Sequence, residues 1–330
     1  MSRFQRRTFL FAAAALLGMP LARAQQPPAA GYLIGILEYG TRAESETGIA
    51  RFKEGLREGG FAEGRNLRIE YRFADNDYRK ANRLAEDLVR AKVQAIYAPT
   101  AWVVHGAKSA TRTIPIVFSG INDPVGIGFV KSLAKPGGNI TGVSIASAEL
   151  TAKRMELMRE VFPSARRLGV VFDEDAAKAC QIELKDIGRA GTQLGVEVNQ
   201  YPYLRKSDLA GIFEGSRRAN VAAVLIPTTM EARRLGGELV AQSAGSRIPT
   251  MHSGMAAVEA GGLMSYGPDD SWAARRAGNY VARILKGAKV AELPIERPTT
   301  YQLAVNLKTA RAMGITIPKS ILARADRVIE

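Results

Sequence analysis

Residues Val93–Ser119 read VQAIYAPTAWVVHGAKSATRTIPIVFS. Val93–Ala98 is a short apolar run ended by Pro99, which suits a buried strand. Trp102–Thr111 follows with helical spacing. Ile114–Ser119 is a second apolar run, and Pro115 stands at its start, where a strand tolerates proline. Strand, helix and strand in so short a span require a crossover between parallel neighbours, the βαβ unit.

The same alternation extends in both directions. Before it come a strand at Tyr32–Leu37, a helix at Ser45–Glu58, a strand at Leu67–Phe73 and a helix at Arg79–Ala91. The first of those helices places Ile49, Phe52 and Leu56 on one face and stops at Gly59-Gly60. After it come a strand at Ile140–Ile145 and a helix at Leu150–Val161. The pattern then restarts with strands at Arg167–Phe172, Val196–Tyr203, Val221–Ile226, Ile248–Met251 and Gly262–Tyr266. Helices are expected between them at Ala176–Leu194, Lys206–Arg218 and Met230–Ala244. A helix at Ser271–Leu285 and a last strand at Tyr301–Asn306 close the chain. Two successive sets of such units predict an α/β protein with two doubly wound, Rossmann-like lobes. Ala110–Phe118 (ATRTIPIVF) and Ala244–Met251 (AGSRIPTM) repeat one helix end, Ile-Pro and strand, which supports two similar lobes.

Composition narrows the function. The 330 residues are 46% hydrophobic, 24% charged and 7% aromatic, as in an ordinary globular protein. The one cysteine, Cys180, excludes an intramolecular disulfide and a cysteine zinc cluster. His105 and His252 are too far apart in sequence to form a metal-ligand motif. The formal charge of +14 includes Arg3, Arg6, Arg7 and Arg23 near the start, so about +10 belongs to the rest. That charge is scattered among acids and forms no long basic run, and no nucleic acid is expected as partner.

The first 24 residues have the form of a signal peptide. Arg6-Arg7 precedes the apolar run Phe9–Leu17, and Ala22-Arg23-Ala24 supplies the small-x-small cleavage site. Residues 25–31 form a Pro/Ala-rich spacer. Paired arginines fit either a twin-arginine or a general secretory route, and a periplasmic protein is expected. The apolar run is too short to span a bilayer.

Catalytic signatures do not appear. The first strand runs into Glu38-Tyr39-Gly40-Thr41, not Gly-x-Gly-x-x-Gly, and neither a phosphate loop nor a Gly-x-Ser-x-Gly elbow is present. No enzyme, cofactor or metal is expected. Attention therefore falls on the carboxyl ends of the strands, where open α/β sheets hold ligands. Those ends carry Tyr39 and Thr41, Thr100 and Trp102, and Asn122 and Asp123 in the first half. In the second half they carry Asp173, Thr228, Ser253 and Tyr266. Each precedes a helix, whose unpaired N–H groups suit a carboxylate, although Thr100, Asp123 and Asp173 are also ordinary N-caps. Tyr39 and Trp102 could stack on a ligand, with packing as the alternative, and packing competes above all at Tyr266.

Several blocks together carry a resemblance. They are the leader ending Ala22-Arg23-Ala24-Gln25-Gln26, Ile114-Pro115-Ile116-Val117-Phe118, Asp123-Pro124 and Pro136-Gly137-Gly138-Asn139-Ile140-Thr141-Gly142-Val143-Ser144. Gly261-Gly262-Leu263-Met264-Ser265-Tyr266-Gly267, Ala282-Arg283-Ile284-Leu285-Lys286-Gly287 and Leu303-Ala304-Val305-Asn306-Leu307-Lys308-Thr309-Ala310 follow. The sequence resembles the substrate-binding proteins of bacterial ABC transporters, in the group with tryptophan- and tyrosine-binding members. The resemblance implies a type I periplasmic binding protein, with a ligand cleft between two lobes and three crossovers. These would lie near Gly138–Ser144, Met264–Gly267 and Pro294–Thr299. Lobe 1 would comprise residues 32–142 and about 267–294, and lobe 2 residues 143–266 and about 299–330. At Asp173-Glu174-Asp175 the chain departs from the amino-acid-binding members, which carry an Asn- and Glu-containing loop.

The expected function is capture of a small-molecule solute, an amino acid or an aromatic or organic acid, by a monomer serving an inner-membrane ABC permease. Hydroxyls of Thr41, Thr100 and Thr228 would hold a carboxylate, and Asp123 or Asp173 would pair an ammonium. A periplasmic sensor for a receptor and an exported α/β enzyme are the alternatives. Cleavage after Ala24 should leave Gln25, or its cyclised form, as the first residue of the exported protein. Intact-mass measurement of periplasmic protein checks this, and recovery of the full-length chain from the cytoplasm alone would contradict it.

Overall fold

A computed structural model describes residues 31–145, 148–174, 177–229, 232 and 234–330. The leader, almost all of the spacer, Asp175 and Met230 at the start of an expected helix lie outside them. The side chain of Cys180 does too.

β1 (Tyr32–Glu38) alternates, sending Ile34 and Ile36 to one face and Leu33 and Leu37 to the other. α1 (Arg42–Glu58) follows it. β1, β2 (Leu67–Phe73), β3 (Ile96–Tyr97), β4 (Ile116–Ile121) and β5 (Ile140–Ser144) form a parallel sheet of order β2-β1-β3-β4-β5. α2 (Ala81–Arg90) and α3 (Ala101–Ala110) bury Leu84, Leu88, Val103 and Val104 against the Leu37 face. α1 buries Ile49, Phe52 and Leu56 against the other.

The chain then enters a second lobe. It adds α4 (Ala148–Val161), β6 (Arg167–Asp173), α5 (Ala177–Leu194), β7 (Glu197–Tyr203), α6 (Asp208–Arg218) and β8 (Val224–Leu225). α7 (Gly236–Ser246), β9 (Thr250–His252), α8 (Met255–Glu259) and β10 (Met264–Pro268) complete this passage. α9 (Asp270–Leu285) returns to the first lobe, with Ala277, Tyr280 and Val281 in the same core as Phe52. β11 (Tyr301–Asn306), α10 (Leu307–Met313), α11 (Lys319–Leu322) and β12 (Arg327–Ile329) finish the second lobe. Its sheet has seven strands in the order β12-β11-β10-β9-β8-β6-β7. Each sheet thus carries an apolar core on both faces, as a doubly wound lobe requires.

Among the differences from the sequence reading, three bear on how the second sheet and the crossings are built. Tyr301–Asn306 is not the last strand, because the short edge strand β12 pairs beyond it. Three residues are too few to show a period. β11 also runs antiparallel to β10, since it starts where the chain arrives from the first lobe. Finally, most of Gly138–Ser144 and Met264–Gly267 is strand, in β5 and β10. The chain changes sheet just after each.

α9 docks through glycine. A Cβ on Gly55 would stand 1.8 Å from the Arg275 carbonyl oxygen, and one on Gly278 would stand 2.1 Å from that of Phe52. The two helix backbones can approach this closely only without those side chains. Gly278→Ala should therefore cost about 1–3 kcal/mol of stability, read as a lower Tm, with far-UV circular dichroism retained.

Candidate functional site

Both sheets share one arrangement. In the first, β1 lies between β2 and β3; in the second, β6 lies between β7 and β8. The connections from β1 and β6 turn opposite ways at these points, opening a crevice beyond the strand ends in each lobe. The chain leaves the first sheet from the carboxyl end of β5 and leaves the second from the carboxyl end of β10. Both sets of strand ends therefore lie on the side where the lobes join. The charge of Arg234, which precedes α7, acts on Glu44 in α1 across that junction.

In lobe 1 the neighbouring ends of β1, β3 and β4 bring together Tyr39, Thr41, Thr100, Trp102, Asn122 and Asp123. Thr41 is the N-cap of α1 in a full capping box. Its N–H and hydroxyl each donate to Glu44 Oε2 at 2.8 Å, and Glu44 N–H returns to Thr41 Oγ1. The Tyr39 hydroxyl donates to the Asn76 carbonyl at 3.2 Å. Asn76 in turn donates to Glu44, and its φ of 62° follows one of 52° at Asp75. Asp123 closes a turn by accepting the Gly126 N–H at 2.8 Å, and the Asn122 carbonyl accepts Ser144 Oγ. Thr100 differs: it occupies the N-cap of α3 but makes no cap bond, and its buried Oγ1 has no partner among the described residues. Trp102, 36% exposed, stacks on Tyr78, 55% exposed, at 5.0 Å and 30°. The indole is not core.

In lobe 2, Asp173, Thr228, Ser253 and Tyr266 stand at or beyond adjacent strands β6, β8, β9 and β10. Tyr266 packs 6.0 Å from Tyr301. A cavity of about 280 Å³ opens at the ends of β8 and β9, lined among others by Pro227, Gly236, His252 and Ser253. Beside these ends lies a buried ion pair that motif reading did not single out. Arg154 of α4 donates through Nη1 to Glu183 Oε1 at 3.0 Å and to Thr228 Oγ1 at 3.1 Å. Its Nε donates to the Tyr266 carbonyl at 2.7 Å, and Glu183 Oε2 accepts the Thr228 N–H at 3.0 Å. A signal existed: Leu150, Arg154, Leu157 and Val161 share the inward face of α4, and Glu183, Ile187 and Ala190 that of α5. A charge in such a stripe needs a buried partner.

Burial also sets two protonation states. It pushes the Glu38 carboxyl up to about 8, against the Ser45 hydroxyl and Tyr39 N–H that favour the anion. It pushes His252 down to about 4, helped by the charge of Arg154, and His252 Nε2 lies 2.9 Å from Thr250 Oγ1. Because the folded-state pKa of Glu38 is raised, its contribution to stability is full below the unfolded value of 4.5 and is lost as pH rises through about 8. Urea unfolding should therefore show a decline between about pH 5 and about pH 8 that Glu38→Gln removes. Parallel slopes in both proteins would contradict this state of Glu38.

Comparison with known proteins gives this geometry a context. Residues 33–329 match the family of ABC transporter substrate binding proteins. A tyrosine-binding protein of Clostridioides difficile (strain R20291) is 26% identical over 267 residues, covering 80% of this chain and 75% of that protein. The structure of an ABC domain from Streptococcus pneumonia in complex with L-Trp superposes with a TM-score of 0.83 at 26% identity, over 91% of this chain and 100% of that one. A conserved domain protein from Vibrio cholerae shares the fold at a TM-score of 0.83 and 24% identity, over 90% and 99% of the two chains. The family consists of solute-binding proteins, not enzymes. With two doubly wound lobes of the type I periplasmic binding fold and a family match over nearly its whole length, the chain belongs to the ABC transporter substrate-binding proteins.

Proposed function

We propose that this protein captures a small carboxylate-bearing solute, an aromatic amino acid or an aromatic or organic acid, in the periplasm, for import through an inner-membrane ABC permease. The observation that carries this reading is the beginning of α3. There the buried hydroxyl of Thr100, without a partner among the described residues, makes no cap bond to the first turn of α3 and stands two residues from the partly exposed Trp102. A carboxylate at that N-terminus would complement the first-turn N–H groups and take the Thr100 hydroxyl as the site opens, and an aromatic body would stack on Trp102. The relatives described as tyrosine-binding and as bound to L-Trp support the same solute class.

Tyr39, Thr41, Asn122 and Asp123 would complete the lobe 1 contacts, and Asp173, Thr228, Ser253 and Tyr266 those of lobe 2. In the structure the hydroxyls of Thr41 and Thr228 already bond to Glu44, Arg154 and Glu183, so Thr100 is the strongest carboxylate donor of the three threonines. A solute touching both lobes favours their closed arrangement by its contacts with the second lobe.

Calorimetric titration with L-tryptophan, L-tyrosine, indole-3-acetate and phenylacetate tests the solute class. Binding to none of the four would overturn it. For any that bind, X-ray scattering should show a smaller radius of gyration at saturation. Trp102→Ala should weaken an aromatic solute by about tenfold while leaving Tm within about 2 °C. A large fall in Tm with affinity kept would make Trp102 a packing residue.

A further inference from the structure

We infer that Arg154 and Glu183 are the positioning pair of the lobe 2 half of the solute site, an assignment that rests on the proposed solute-binding role of the strand ends. The pair is 2% and 6% exposed, so both charges have left water. Desolvation of this kind is costly, and a well-packed apolar pair of the same size commonly gives equal or better stability. What an apolar pair cannot do is hold backbone polar groups. Glu183 takes the Thr228 N–H just beyond β8, and Arg154 takes the Tyr266 carbonyl in β10. That carbonyl lies one residue past Ser265, the last residue of β10 registered with β9, where the parallel ladder stops.

A third strand end belongs to the same arrangement. A Cβ on Gly267 would stand 1.9 Å from the Ser253 carbonyl oxygen and 3.5 Å from Arg154 Nη2. The β8 and β10 ends thus meet at one guanidinium, and the β9 end packs closely on β10 beside it, through the Ser253 carbonyl at Gly267. Arg154 lies in the first helix after the chain leaves lobe 1, and Tyr266 lies just before the chain returns there. The pair therefore fixes the lobe 2 contact surface relative to the crossings about which the lobes turn.

The test separates positioning from plain stability, and its first readout needs no ligand. Arg154→Met should lower Tm because it strands the Glu183 charge, and Arg154→Met/Glu183→Leu should recover it. In the recovered double variant, hydrogen exchange in peptides covering 224–229 and 262–268 should be about tenfold faster than in the wild type, with exchange in 168–172 unchanged. Return of all three segments to wild-type protection along with Tm would overturn the assignment. If the lobe cannot refold with the apolar pair, Glu183→Gln supplies the comparison. It leaves only a weaker, neutral acceptor for the Thr228 N–H and removes the charge opposite Arg154. Faster exchange confined to the two strand-end peptides supports the assignment, and a uniform change across lobe 2 overturns it.

L-tryptophan and L-tyrosine then serve as probes of the solute site. If either binds the wild type, the double variant should bind it about tenfold more weakly at equal Tm, and equal affinity would overturn the assignment. Failure of the wild type to bind either removes that solute class, while the exchange result still decides the role of the pair.

Discussion

The bidentate ion pair between Arg276 and Glu296 holds together the three places where the chain changes lobe. Arg276 Nε and Nη2 donate to the Glu296 carboxylate at 2.6 and 2.7 Å from α9, the helix that opens the return to lobe 1. The Glu296 backbone lies alongside β5, accepting the Ser144 N–H at 2.9 Å and donating to Gly142. The Tyr280 hydroxyl fixes the same segment through the Pro294 carbonyl at 2.5 Å. The start of the first crossing, the end of the second and the start of the third thereby meet on the lobe 1 side. Under the proposed closure, rotation between lobes would fall to the few residues beyond that junction.

The alternation of apolar runs and amphipathic helices made the two lobes legible, because a buried parallel strand and its covering helix each leave a local pattern. β2 matches its expected limits and α1 its expected end at Glu58 for that reason, although α1 begins three residues earlier than expected, at Arg42. The antiparallel β11 was not legible, since its direction depends on which edge of the sheet the returning chain reaches, a matter of connectivity and not of local sequence. Site chemistry was legible by position but not by partner. Reading strand ends located Thr41, Thr100 and Thr228 equally well. Only the structure shows that Glu44 occupies the first, that Arg154 and Glu183 occupy the third, and that the second is unpaired among the described residues.

Arg154 shows why the most consequential polar residues of the second lobe escaped motif reading. A motif records neighbours in sequence, whereas Arg154 meets groups from α5, the β8 end and β10. Its only local sign is a charge within an apolar stripe. That sign means a buried network, and the network's partners become identifiable only when the sheets are assembled.

The polar groups at the strand ends of the two lobes are consequently satisfied to different degrees. At the β8 and β10 ends of lobe 2, guanidinium, carboxylate, hydroxyl and backbone groups satisfy one another, and His252 is held neutral, so the surface is preorganised and its geometry is costly to alter. Lobe 1 keeps a buried hydroxyl at Thr100 without a partner among the described residues, an exposed indole at Trp102 and a carboxyl at Glu38 that retains its proton near neutral pH. A hydrogen bond to an unsatisfied buried hydroxyl displaces no existing one, so a polar ligand gains more there than from a group already paired. Unmet hydrogen-bonding capacity thus lies on the lobe 1 side, and fixed shape lies on the lobe 2 side.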